Sequence, residues 1–370
     1  MKKFPLFLIV LSIVSCFFAC VRDDDEPTVT SKAISRLYVS TSDYDGSSGN
    51  NYNNVFVISP ADSSVFPPAN IDSIYAFTSS ARGGRFIHYT PFSNGLIFQG
   101  SQNSPVYIDT AVQMMTVSNT GVLRNTGKLG NRNFNNVKGL GYTIVNSGTL
   151  SENFLLMLNA DSLSVIDKPT SKGSSRIVNP RFHMLLDYNP WGINISERDV
   201  FVSSFANVNK PSATNGIVVY KNLTSKFVEN RADSILKDYA RFDLTIAGAK
   251  NVRGLSYSKA NDILVVTDYE GEGNSSKGRV MIFTKFSQYT SSGIITPDRI
   301  ITSAGLKQPL DVAIDTRVDG KFIYVADPIA KLVFRFLITD EGDVTPNQQI
   351  NLFGRSPVSL SLDSRAPTVF

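Results

Sequence analysis

Short apolar runs recur from Ile34 onward, and polar clusters separate them. LYVS at 37, NVFVIS at 54, GLIFQG at 95, DVFVSS at 199, DILVVT at 262 and KFIYVAD at 321 alternate or stay apolar over strand length, the pattern of half-buried or fully buried strands. Gly, Asn, Asp, Ser and Pro fill the gaps, which marks turns. Helical periodicity is scarce. Many short strands joined by turn chemistry predict an all-β sandwich, barrel or propeller.

Self-similarity decides among these. Asn136 to Tyr142 reads NVKGLGY and Asn251 to Tyr257 reads NVRGLSY; between them Asn189 to Ile195 reads NPWGINI, and each of the last two is followed, after a turn, by a second strand. QPLDVAI from Gln308, SPVSLSL from Ser356 and a degenerate GRFIHYT from Gly84 complete the set. The starts at 84, 136, 189, 251, 308 and 356 lie roughly fifty-five residues apart, which suits four-stranded blades and predicts a six-bladed β-propeller. The chain stops soon after its last innermost strand, and its body opens with what should be a second strand, Arg36 to Ser40. Residues 356–363 with 35–80 are therefore expected to form one blade, pairing the two termini and removing exposed edges.

The N-terminus carries a different signal. Lys2 and Lys3 precede an apolar run from Phe4 to Ala19, a positive n-region followed by a signal-peptide h-region too short for a comfortable membrane span. Phe17-Phe18-Ala19-Cys20 resembles the lipobox of bacterial lipoproteins, as does Ile13-Val14-Ser15-Cys16. Cys20 is the favoured acylation site because Arg22-Asp23-Asp24-Asp25-Glu26 follows it, and that acidic run resembles the export tag of surface-exposed lipoproteins. The resemblance implies a signal peptide over 1–19, an acylated Cys20 with an acidic tether to residue 34, and one propeller over 35–370. It also implies an outer-membrane, cell-surface protein held by its acyl chains.

Composition narrows the chemistry. Both cysteines lie in the first twenty residues, so the body has no disulfide framework, cysteine–zinc site or thiol nucleophile. The formal charge of +4 includes Lys2 and Lys3; without a basic stripe, nucleic acid is not an expected partner. The two histidines, His88 and His183, read as strand residues, and HExxH, GxSxG and GxxxxGK[ST] are all absent from the sequence.

Residues 308–336, QPLDVAIDTRVDGKFIYVADPIAKLVFRF, resemble an NHL repeat, with proline before the innermost strand, Asp315 closing it, Gly320 in the turn and a second strand ending at Asp327. Asp311 stands where the family has glycine, and Ala330 and Leu332 replace its Asn and Arg. The resemblance implies a six-bladed NHL-like propeller. Sugar lactonases with a central metal, zinc-dependent amidating lyases and plain binding proteins all share that architecture, so it does not choose a function.

Two sets of residues are candidates for a site. Asp43-Tyr44-Asp45-Gly46 and Asp268-Tyr269-Glu270-Gly271 follow equivalent strands; Asp43, Asp45, Asp268 and Glu270 could supply oxygens to calcium, or Asp and Gly could simply shape the turns. Lys138, Trp191 and Arg253 each precede the repeat glycine, so they should ring the mouth of the central channel, where an indole could stack on a sugar and two cations could pair with a carboxylate. The expected function is a monomeric, surface-anchored, non-catalytic module that binds a glycan or a protein partner. The alternative is a calcium-dependent hydrolase or lactonase of the six-bladed type.

Overall fold

In a computed structural model of the chain, six antiparallel sheets follow one another along the sequence. The structure describes residues 33–44, 52–67, 74–92, 95–105, 107–173, 177–207, 209–211, 213–230 and 235–366. The expected signal peptide, Cys20, the tether as far as residue 32 and Asp45 lie outside them, and Ile34, expected to end the tether, already belongs to a strand. Numbered by their innermost strands, blade 1 holds Gly84–Thr90, Leu96–Ser101, Ala111–Val117 and Leu123–Gly130; blade 2 holds Val137–Ser147, Leu150–Asn159, Ser162–Asp167 and Phe182–Leu185. Blade 3 is built from Asn189–Ser196, Asp199–Phe205, Gly216–Lys221 and Ala240–Ile246, blade 4 from Leu255–Ser258, Ile263–Glu270, Lys277–Thr284 and Arg299–Thr302, and blade 5 from Asp311–Ile314, Phe322–Asp327, Leu332–Leu337 and Gln348–Ile350.

Blade 6 closes the ring. Pro357–Arg365 is its innermost strand, and Ile34–Thr41, Val55–Ile58 and Ile74–Phe77 are the next three. Ile34 pairs with Arg365 and Ser40 with Ser359 in an antiparallel ladder that ends in a bulge at Thr41. The expected joint between the two ends of the body is thus present. A six-bladed β-propeller is the result.

Packing shows the same closure independently of the ladders. Six hydrophobic clusters fill the six interfaces between neighbouring blades, from blades 1 and 2 around to blades 6 and 1. Strand alternation supplies them. Leu37 and Val39 face blade 5, whereas Tyr38, between them, faces blade 1; in blade 4, Leu264 and Val266 face blade 3 while Val265 faces blade 5. Both faces of a second strand are buried, which is why these segments read as unbroken apolar runs.

Two additions were not anticipated. Gly293–Ile295 joins blade 3 as a parallel fifth strand, and Gly342–Asp343 does the same for blade 4, covering part of an outer edge that would otherwise present unpaired backbone groups. Among the described residues no helix is long and apolar enough to cross a membrane.

The innermost strands each have one edge on the central channel without a ladder partner, so their N–H groups need acceptors from elsewhere. Side chains of the preceding blade provide several. Ser359 and Ser361 hydroxyls accept from Ile87 and Tyr89, His88 Nε2 from Tyr142, Ser256 from Ile314, and the Asp311 carboxylate from Leu360. Where the repeat has glycine instead, the next strand comes closer. A Cβ on Gly254 would collide with the Cα of Asp311 and lie 2.8 Å from the Val312 nitrogen, and one on Gly139 would lie 2.9 Å from the Trp191 carbonyl oxygen.

Candidate functional site: the channel mouth

The chain enters each innermost strand on one face of the ring, here termed the entry face, and the connections from second to third strands share it. The residue before the repeat glycine, or its counterpart, sits at this rim: Arg85, Lys138, Trp191 and Arg253 in blades 1 to 4, then Leu310 and Val358 in blades 5 and 6. One arc of the rim is therefore cationic and aromatic, and the other apolar.

Trp191 organises the arc. Its Nε1 donates to the Leu310 carbonyl oxygen at 3.1 Å, reaching past blade 4 to blade 5, while its ring meets Phe86 of blade 1 edge-on at 6.5 Å. The indole thus lies over the channel. The Arg253 and Arg85 guanidiniums stand over it at 4.8 and 5.5 Å from the ring centroid. Arg253 is only 7% exposed. It also contacts Phe205 at 3.8 Å and Tyr269 at 5.2 Å, and donates to the Tyr269 hydroxyl and the Val252 carbonyl. The indole face that was expected to meet a sugar is engaged by guanidiniums, so what the mouth presents foremost is positive charge.

That charge is poorly compensated. Arg85, Lys138 and Arg253 take part in none of the ion pairs among the described residues, and the Nε atoms of both arginines are buried without an acceptor. Burial, then the positive Arg253 and Arg85, push the Lys138 ammonium down to about 8. Burial and Arg253 push the Arg85 guanidinium down to about 10, and burial lowers Arg253 as well. Three cations that hold their protons less firmly than usual mark a site whose electrostatics favour an incoming anion.

The carboxylates are differently employed. Asp43 accepts from the Ser356 backbone at 2.5 Å and its hydroxyl at 2.9 Å; Asp268 accepts from Lys250 and Asn251 N–H groups and from Arg279 Nε. Asp327 of blade 5 likewise takes N–H groups of Lys307, Ile329 and Ala330. Each sits at the end of a second strand and braces the chain where it enters the innermost strand of the same blade. Asp43 belongs to blade 6 and Asp268 to blade 4, so they are not brought together, and Glu270 is exposed. Among the described residues no group of three or more His, Cys, Asp or Glu side chains is placed to hold a metal.

Beneath the mouth, a cavity of about 160 Å³ follows the channel, lined by residues that include Phe86, His88, Leu140, Asn194, Asp311 and Ser361. Desolvation pushes the His88 imidazolium down to about 4 and the Asp311 carboxyl up to about 7. Neutral His88 is the form that can accept from the Tyr142 N–H. His183 lies exposed on the outermost strand of blade 2, beside Ser164. Sequence reasoning placed Lys138, Trp191 and Arg253 at the rim but missed Arg85, because GRFIHYT carries Phe86 where the clearer repeats have glycine. Counting back from the shared strand rhythm would have found it.

No protein-family model and no curated protein matches the chain. Solved structures do. A Bacteroides uniformis protein provisionally named a 6-phosphogluconolactonase aligns over 90% of this chain and 100% of its own, with a TM-score of 0.50 and 11% identity. A Lactobacillus plantarum protein aligns over 89% of this chain and 99% of its own (TM-score 0.46, 9% identity), and apo AztD from Citrobacter koseri over 91% and 100% (TM-score 0.43, 11% identity). At these identities the first likeness is one of fold, and it supports the propeller.

Proposed function

We propose that this chain is a lipid-anchored protein of the bacterial cell surface whose propeller is a non-catalytic binding module, engaging a glycan or protein partner on its entry face. The observation that carries this reading is the gathering of Arg85, Lys138 and Arg253 at the channel mouth, the two arginines over the Trp191 ring, contributed with it by four successive blades and outside any ion pair. A ring presents short loops from many blades on one rigid face, which suits recognition. Anchorage rests on Cys20: its replacement by Ser is expected to shift the chain from the membrane to the soluble fraction, and unchanged fractionation would remove the anchor from the reading.

A second reading, a calcium-dependent hydrolase or lactonase, draws on the name given to the Bacteroides uniformis protein and on Asp43, Asp45, Asp268 and Glu270. It requires these carboxylates to share an ion, whereas Asp43 and Asp268 serve separate blades. Calcium should then leave the melting temperature unchanged, and a calcium-dependent rise would revive the enzyme. The binding reading itself is tested by a glycan array and a pull-down with the detergent-extracted chain against the Trp191→Ala variant. Retention of every captured ligand by the variant would count against the channel mouth.

A further inference from the structure

The cationic mouth does not stand alone on the entry face. Tyr44, in the connection between the second and third strands of blade 6, meets Tyr107 of the corresponding blade 1 connection edge-on at 5.0 Å. The Tyr107 hydroxyl in turn lies against Gly83, two residues before Arg85. From Arg85 the contacts continue to Trp191 at 5.5 Å, to Arg253 at 4.8 Å from the same ring, and to Tyr269 of blade 4 at 5.2 Å. Beyond Tyr44 lies Tyr52, which is buried and supports Tyr44 from below at 5.5 Å, and Arg355 stands over it at 4.8 Å. Aromatic rings and cations therefore run from blade 6 across the mouth to blade 4.

We propose that this line is a binding track for an extended acidic polysaccharide, with uronate carboxylates or sulfates meeting Arg85, Lys138 and Arg253 while sugar faces lie on the tyrosines. The inference rests on the binding reading and adds the chemical class and extended form of the ligand. Cations crowded together outside any ion pair are relieved by an oxyanion, and Arg85 and Arg253 stand over one indole ring in that state. Rings recruited from separate blades favour a chain-like ligand over a compact one, because each additional ring adds area only if the ligand reaches it. Tyrosine offers a flat apolar face with a polar edge, which matches a sugar ring better than it matches a free inorganic anion.

Trp191, the single tryptophan of the chain, reports binding directly. Its fluorescence and a calorimetric titration would be followed on the detergent-extracted full chain with a hexameric oligogalacturonate, a sulfated hexasaccharide, a neutral cellohexaose, monomeric galacturonate, inorganic phosphate and polyglutamate. One or both acidic hexamers should bind at least tenfold more tightly than the monomer, phosphate or cellohexaose, and the better of the two identifies the anion. The affinity should fall with added salt. Arg85→Met and Lys138→Met should each weaken hexamer binding about tenfold and Tyr44→Ala several-fold, whereas Lys285→Met, on the opposite face, should not. Cellohexaose binding as tightly would overturn the acidic ligand while leaving entry-face binding intact. Equal affinity for monomer or phosphate would reduce the track to a small-anion site, and equal affinity for polyglutamate would replace the glycan by an acidic peptide. Silence from every probe together with a blank glycan array and pull-down would bring down the binding reading as well.

Discussion

The two halves of the inner ring solve one geometric problem in opposite ways. In blades 2, 3 and 4 the position facing the next blade is Gly139, Gly192 and Gly254, and the neighbouring backbone closes directly upon it. In blades 5 and 6 the same position is Asp311 and Ser359, whose side chains accept N–H groups of the next strand. The glycine half is held by close backbone approach, tightest at Gly254. The polar half is held by hydrogen bonds, and so can respond to pH. Two of the three cations sit in the glycine half, since Lys138 and Arg253, with Trp191 between them, each precede one of those glycines; Arg85 precedes Phe86 of blade 1, and Leu310 and Val358 occupy the polar half. Recognition and tight closure thus share one side of the channel.

The largest effect should come from adding a single methyl group to the glycine half. Gly254→Ala would drive a Cβ into the backbone of blade 5 with no flexible neighbour to yield, so a loss of about 5 kcal/mol is expected, at the top of the range for point substitutions. Gly293→Ala, where nothing lies near the added atom, should change chemical-denaturation stability by about 0.5 kcal/mol or less. Similar midpoints for the two variants would contradict the close-packed half.

The polar half should answer to pH. Burial raises the Asp311 pKa from the ordinary 3.8 to about 7, so between those values the folded chain keeps a proton that the unfolded chain has released. Stability therefore declines as pH rises through this window, by up to about 4 kcal/mol from this group. Asp311→Asn removes the ionisation while keeping an acceptor oxygen. The variant should match the wild type near pH 4 and exceed it at pH 8, as read by melting temperature across the series; parallel pH profiles would refute the assignment.

A smaller effect of opposite character is expected at the rim. Arg85→Met removes a half-buried cation outside any ion pair beside Arg253 and Lys138, so the variant should gain about 1 kcal/mol while weakening acidic-ligand binding. Loss of stability in Arg85→Met would mean that the guanidinium serves packing alone.

Much of the ring was legible because it repeats. Repeated motifs located the innermost strands, and the starts at 84, 189 and 356 fall within a residue of Gly84–Thr90, Asn189–Ser196 and Pro357–Arg365. The strand after Asn251 begins only at Leu255, since Asn251 and Lys250 are pinned to Asp268 instead. The parallel additions at 293–295 and 342–343 left no trace because three- and two-residue strands lie below any periodic signal. At the mouth, repeat position was enough to predict that Lys138, Trp191 and Arg253 share a rim. It could not reveal that Trp191 leans across to Leu310, nor that Tyr44 and Tyr107 extend the line, because those contacts join blades through side-chain reach rather than strand order.

At the channel mouth the positive charge of Arg85, Lys138 and Arg253 is held outside any ion pair. Isotope-edited NMR of the Lys138 side chain would measure this directly in the free protein and with the acidic hexamer bound. A pKa near 8 that climbs toward the ordinary 10.5 on binding is the predicted result. A free-state value already near 10.5, unmoved by the ligand, would contradict it.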